Sequence, residues 1–138
     1  MEALREAVKD GTIDLVATDH APHHYDEKEQ AFEDAPNGIV GLETALGLSY
    51  TELVETGLID LATLIERMSC APARALSLPG GTLREGSPAD VTIFDPRVEW
   101  TVDPAKFLSK SRNTPFTGRT LRCVAVRTIV GGVTVWSA

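Results

Sequence analysis

Asp19, His20, His23 and His24 place one carboxylate and every histidine of the chain within six consecutive residues. Imidazoles and a carboxylate at this spacing can bind a divalent metal, move protons near neutral pH or receive an anionic group. They follow Ile13-Asp14-Leu15-Val16-Ala17-Thr18, a short and mostly apolar run. Such a run reads as a strand buried on both faces of a parallel sheet. Enzymes of that class carry their chemistry at the C-terminal ends of the strands. A carboxylate there can bind a metal ion and accept a proton from a bound water whose pKa the ion brings to about 7. It can then return that proton to a leaving group. A histidine four residues on is suited to an anionic substrate group.

Pro22 shapes the geometry of this window. It biases Ala21 away from helical backbone, so His20, His23 and His24 are not expected to share a helix face. An irregular turn at the strand mouth is the expected alternative, with Asp19 directed into the site. An Asp-His pair at a strand end also serves as a helix cap or a solvated turn. His24, followed by Tyr25-Asp26-Glu27-Lys28, reads as loop surface, and Asn37-Gly38 by itself as a turn dipeptide. A hydrolytic zinc site calls for three or more protein ligands. One histidine cluster and one well-placed carboxylate supply only part of such a site.

The elements that must position this window follow from periodicity. Glu2 to Lys9 reads as a helix stopped by Gly11, and residues 20–38 as a long polar binding loop. Val40 to Glu55 has helical spacing and Gly57 ends it; Leu61 to Met68 is a second helix, and Pro72 opens a third reaching Leu76. Helix, strand, loop and helix make the rhythm of a parallel α/β fold. The character changes near Pro79-Gly80-Gly81, where a boundary is expected between residues 1–78 and 79–138. Beyond it, Asp90–Phe94, Glu99–Val102, Val124–Val130 and Val133–Trp136 read as strands, with Gly131-Gly132 as a hairpin turn. Trp100 and Trp136 read as core or interface anchors.

Composition narrows the function classes. A net charge of −7 over 138 residues argues against general affinity for nucleic acid or anionic membrane. No apolar run approaches the ~20 residues that span a bilayer. The charged, helix-forming start, Met1-Glu2-Ala3-Leu4-Arg5-Glu6, is unlike a secretory signal. Cys70 and Cys123 form no CxxC pattern and read as buried reduced thiols, consistent with a cytoplasmic location.

The string Ala17-Thr18-Asp19-His20-Ala21-Pro22-His23 resembles the late-barrel motif of the dihydroorotases, metal-dependent amidohydrolases of pyrimidine synthesis. The resemblance continues through Gly38–Thr44, Gly81–Val91, Lys110–Gly118 and Ile129–Gly132, covering essentially the whole chain. The Gly81–Val91 piece is shared across the amidohydrolase superfamily, whereas Asp-His-Ala-Pro-His is narrower. The resemblance implies an α/β fold: the C-terminal part of a (β/α)8 TIM barrel, plus C-terminal strands of a small β-sandwich domain. A complete barrel takes about 250 residues, so the chain is expected to be a C-terminal portion of such an enzyme, inactive by itself.

For the site, the resemblance implies that Asp19 is a metal ligand and general base for one or two zinc ions. It implies that His23 contacts the substrate carboxylate, and that Asn37 and Gly38 lie in the loop that closes on substrate. His20 takes a positioning role. The implied substrates are N-carbamoyl-L-aspartate and L-dihydroorotate, with a homo-oligomer or aspartate carbamoyltransferase as partner. Family members often carry an aromatic residue where Asn37 stands, which a backbone contact tolerates. They tend to have Asn-Pro-Ala where this chain has Ala71-Pro72-Ala73, a change expected to affect packing. Alternative readings are a non-catalytic scaffold subunit of aspartate carbamoyltransferase, or a hydantoinase or allantoinase; those sister enzymes usually lack the Ala-Pro-His that ends in His23.

Overall fold

The computed structural model describes residues 2–138. Helix α1 (Glu2–Asp10) ends at Gly11, whose φ of +88° is a conformation that glycine adopts without steric cost. The chain then runs extended toward Asp19. The strand predicted over residues 13–18 is not formed. Leu15 and Val16 are half-buried, but a strand needs a ladder. Here Val16 N–H donates to Arg67 O at 3.0 Å, and Arg67 Nη1 donates to Asp14 O at 3.1 Å. These contacts lie against a helix, and no neighbouring strand flanks this segment among the described residues.

The predicted loop contains a short helix that the periodicity misses, α2 (Tyr25–Lys28). The helix expected over 40–55 begins later. A turn at residues 42–44 precedes α3 (Ala45–Ser49), which continues as a π-helical turn over Tyr50–Val54. The two helices expected over 61–68 and from Pro72 are one continuous helical run. Asp60 caps its start, accepting the Thr63 N–H at 2.7 Å. The run comprises α4 (Leu61–Ile65), a π turn (Glu66–Cys70) and α5 (Ala71–Ala75). Pro72 has no N–H to offer the preceding turn, a defect that ordinarily breaks a helix. The wider turn absorbs it, with the Ala71 N–H reaching Glu66 O.

The C-terminal half forms one antiparallel sheet in the order β1 (Val91–Thr101), β2 (Thr120–Val130), β3 (Val133–Ser137). The two strands expected before and after residue 97 are a single strand, irregular between Asp95 and Glu99. Pro96 sits in that irregularity, where its missing N–H breaks no ladder. Gly131 and Gly132 form the hairpin turn with φ of +56° and +80°, the signs required by a type I′ turn.

The buried cluster joins Val40 to Val102, Phe107 and Leu121, with Leu48, Trp100 and Phe116 packed on it. It draws on both sides of residue 79. The join is close: a Cβ on Gly47 would lie 3.0 Å from the Trp100 ring and 3.3 Å from Leu121. Trp100 donates from Nε1 to Cys123 O at 3.1 Å, as its anchor reading expects. Cys123 is buried and unpaired, and burial pushes its thiol up to about 11; Cys70 is only half-buried. Trp136 stays 39% exposed, so it anchors no core here. No helix among the described residues is long and apolar enough to cross a membrane. The consequence for the site is topological: packing β1 and β2 on α3 carries the connection between them, residues 102–119, up against residues 20–41.

Candidate active site

Asp19 has φ +44°, one of three non-glycine residues in the left-handed region among those described. Aspartate tolerates this backbone better than most residues, but it remains a strained choice. Its side chain is exposed. Strain held at an exposed carboxylate is a recurring mark of functional positions.

Immediately after Asp19 the chain meets the far end of the loop. His20 and Ile39 form a parallel bridge, and Ala21 N–H donates to Ile39 O at 2.9 Å. His20 turns its Nδ1 onto the start of the next turn, accepting from Gly41 N–H at 3.0 Å and, more weakly, from Leu42 N–H at 3.4 Å. That ring is therefore a brace between the two limbs of the loop, in keeping with a positioning role.

His23 is half-buried and lies beside Gly38: a Cβ built on Gly38 would sit 3.6 Å from His23 Nε2. Gly38 has φ +110° and faces Ala21 so closely that no side chain fits between them. Asn37, next to it, is exposed. Lys28 holds this turn from one side, donating from Nζ to Pro36 O at 2.7 Å and approaching Gly38 O at 3.4 Å. His24 is more than loop surface: it is the N-cap of α2. Its Nδ1 accepts the Asp26 N–H at 3.3 Å while Glu27 accepts the His24 N–H at 3.2 Å. This capping box fixes the short helix that presents Lys28.

Residues from the β1–β2 connection complete the wall, and the sequence reading assigned none of them a role. Ser111 is buried, and its Oγ accepts the His23 N–H at 3.2 Å. Asn113 donates from Nδ2 to Ala21 O at 3.0 Å and to Gly38 O at 3.1 Å, and its own carbonyl accepts Val40 N–H at 3.0 Å. Glu43 ties the same connection down through Oε1, which accepts the Ser109 N–H at 2.8 Å, while its Oε2 is buried with no partner among the described residues. Burial works to raise the Glu43 carboxyl, but the hydrogen bonds from Ser109 and from the Glu43 backbone hold it below the ordinary glutamate range.

That depression has a definite sign. A carboxyl with a lowered folded-state pKa contributes stability above its unfolded value, about 4.3, and loses it as pH falls through the lower folded value. Glu43→Gln should therefore flatten the loss of stability as pH falls from about 5 through the acid range. Thermal midpoints of both proteins across that range check it, and parallel curves would refute it.

His23 and Gly38 are thus brought together across the loop, and His20, next to Asp19 in sequence, braces the loop's base. Among the described residues no group of three or more His, Cys, Asp or Glu side chains converges. His20 Nδ1 and His24 Nδ1 are already taken by backbone N–H groups. The Asp19 carboxylate and the His23 ring take no backbone N–H in this way among the described residues.

The chain thus combines helices and an antiparallel sheet with an aspartate strained at the end of an extended segment. The profile of the amidohydrolase family matches residues 1–135, and the chain belongs to that family. Its relatives include the dihydroorotase of Geobacter metallireducens, 54% identical over 97% of this chain and 31% of that protein. The dihydroorotase of Halalkalibacterium halodurans is 54% identical over 98% of this chain and 32% of that protein. Among solved structures, the dihydropyrimidinase of Brevibacillus agri superposes with a TM-score of 0.92 at 27% identity, covering 99% of this chain and 31% of that one. The L-hydantoinase of Arthrobacter aurescens superposes with a TM-score of 0.88 at 35% identity, over 97% of this chain and 31% of that one. The chain spans about a third of the length of the relatives it matches.

Proposed function

We propose that the chain is the C-terminal portion of a dihydroorotase, which interconverts N-carbamoyl-L-aspartate and L-dihydroorotate. The observation that carries this reading is the His23–Gly38 pair in a loop that opens on a strained, exposed Asp19. A cyclic amide bearing a carboxylate needs a proton carrier at the reacting bond and a cation or N–H donors several ångströms away. Asp19 supplies the first, and His23 with the Asn37-Gly38 backbone the second. The 54% identity to dihydroorotases supports the same choice over the L-hydantoinase at 35% and the dihydropyrimidinase at 27%.

In the hydrolytic direction, Asp19 takes a proton from water as its oxygen bonds to the ring carbonyl carbon. It returns that proton to the ring nitrogen as the carbon–nitrogen bond breaks, giving the open ureido acid. Cyclisation runs the same transfers backward and releases water. His23 and the Gly38 turn hold the carboxylate that the reaction leaves untouched, which fixes the ring relative to Asp19. Zinc, where bound, supplies polarisation of the carbonyl and acidification of water. Asp19 would give it one ligand, and the others would come from sequence beyond these residues.

The same reading takes residues 1–78 as the chain's share of the barrel, in which the extended 13–18 segment would gain its ladder from strands beyond these residues, and 79–138 as strands of a small β-sandwich. It also carries a cytoplasmic setting and assembly as a homo-oligomer or with aspartate carbamoyltransferase. The full-length protein should turn over dihydroorotate and carbamoyl aspartate and leave hydantoin untouched. Hydantoin turnover with none on dihydroorotate would transfer the reading to the hydantoinases. Inactivity on all three in the zinc-loaded protein would favour the scaffold subunit.

A further inference from the structure

We propose that Ser111 and Asn113 are positioning residues that set the separation of His23 from the Gly38 turn. This inference rests on the reading above for what the pair receives, but not for the geometry itself. Each of the two limbs of the site is flexible in principle: one is a Pro-bent turn, the other a glycine turn at φ +110°. The limbs are joined directly at their base, through the His20–Ile39 bridge and the Ala21 N–H to Ile39 O bond. Toward His23 and Gly38 that ladder stops, and Asn113 takes it over by donating both amide hydrogens across the gap, one to Ala21 O at 3.0 Å on the first limb and one to Gly38 O at 3.1 Å on the second.

Those two donations fix the amide orientation, since both acceptors are carbonyls and only the NH2 side can serve them. Asn113 Oδ1 is thereby turned to Ser111 Oγ. Ser111 in turn clasps the His23 backbone, accepting its N–H at 3.2 Å and lying 2.5 Å from its carbonyl. The hydroxyl has one proton, so it serves either His23 O or Asn113 Oδ1 at a given moment. Either way the chain of contacts runs from Gly38 through Asn113 and Ser111 to the residue that carries the imidazole. Lys28 closes the ring from the opposite side, on Pro36 O and Gly38 O. The partners are 75 to 92 residues apart in sequence, so the connection between β1 and β2 acts as a gauge block inserted between the limbs.

The test uses the full-length protein with Asn113→Ala, Ser111→Ala and Ser111→Thr. A displaced carboxylate pocket weakens binding of the substrate more than it slows the proton transfers at Asp19. Asn113→Ala should raise KM for dihydroorotate about tenfold, the worth of one hydrogen bond, with kcat within about twofold. The His23 ring resonances, followed with labelled histidine, should move in Asn113→Ala and Ser111→Ala and return toward wild type in Ser111→Thr. A purely structural role would lower the thermal midpoint and leave KM and the His23 signals of the folded fraction unchanged, which overturns the proposal. If Asn113→Ala fails to fold, the Ser111→Ala and Ser111→Thr pair decides by the same readouts. If the wild-type protein turns over hydantoin instead of dihydroorotate, the dihydroorotase reading falls, while the His23 resonances still decide the positioning role.

Discussion

Asp19→Asn in the full-length protein should lower kcat for both directions of the reaction about 10³-fold, within the 10²–10⁴ range of a positioned general base. In free energy that is about 4 kcal/mol of transition-state stabilisation. The substitution is chosen for what it preserves. Asparagine has the same shape and the same tolerance of φ +44°, so the turn keeps its geometry. It loses only the charge and the ability to carry a proton. The thermal midpoint should therefore stay within about 1 °C, below the roughly 2–4 °C that 1 kcal/mol produces in a domain of 150–250 residues. Asp19→Gly separates the two properties further. It removes the Cβ from a strained backbone, so stability should hold or rise while turnover falls as far as in Asp19→Asn. Turnover by Asp19→Asn within threefold of wild type would remove Asp19 from the chemistry and leave its φ as a feature of the turn alone.

The window around Asp19 was legible in sequence because its information is local. Six residues hold the carboxylate and the histidines, and Pro22 determines that they bend instead of lining a helix. The glycine pair of the hairpin was legible for the same reason: the turn demands positive φ at both positions, and the residues say so. What could not be read was whatever depends on a distant partner. Leu15 and Val16 have strand-like composition, but their ladder must come from neighbours, and against Arg67 they remain merely extended. The helical run past Pro72 continues because a π turn moves one hydrogen bond, a compensation that periodicity does not register.

His24 is an instructive miss, because a signal existed. Glu27 stands three residues after it, the spacing of a capping box, and the imidazole nitrogen takes the place of the usual hydroxyl. A four-residue helix has too few turns for a hydrophobic stripe, so the cap was its one visible trace. Ser111 and Asn113 left a fainter trace. Their segment, Lys110–Gly118, carries a family resemblance, but the residues it meets lie on the other side of the sequence. The shared core of Val40, Val102, Phe107 and Leu121 brings them there, and composition alone had divided those residues at Pro79.

Gly38→Ala should lower kcat/KM about 10²-fold through geometry, with no change in any chemical group of the site. The added Cβ would lie 2.5 Å from the Ala21 Cβ. Apolar carbons rest at about 3.5–4.0 Å, so the limbs must separate by about 1 Å. Ala21 cannot yield alone, since its N–H is bonded to Ile39 O and its carbonyl to Asn113. The loop carrying Gly38 is the movable partner, and moving it carries the substrate's carboxylate pocket away from His23. A displacement of that size at a positioning group is enough for a hundredfold loss. The φ of +110° adds strain of about 1–3 kcal/mol for any residue with a Cβ. Two separate costs follow, and the double variant Gly38→Ala with Ala21→Gly divides them. It removes the steric contact and keeps the backbone strain, so it should recover most of the kcat/KM and little of the lost stability. Measured as a double-mutant cycle, the coupling between the two sites should be favourable in activity. Additive effects would mean that the limbs do not touch at Ala21, and that Gly38 is required only for its backbone conformation.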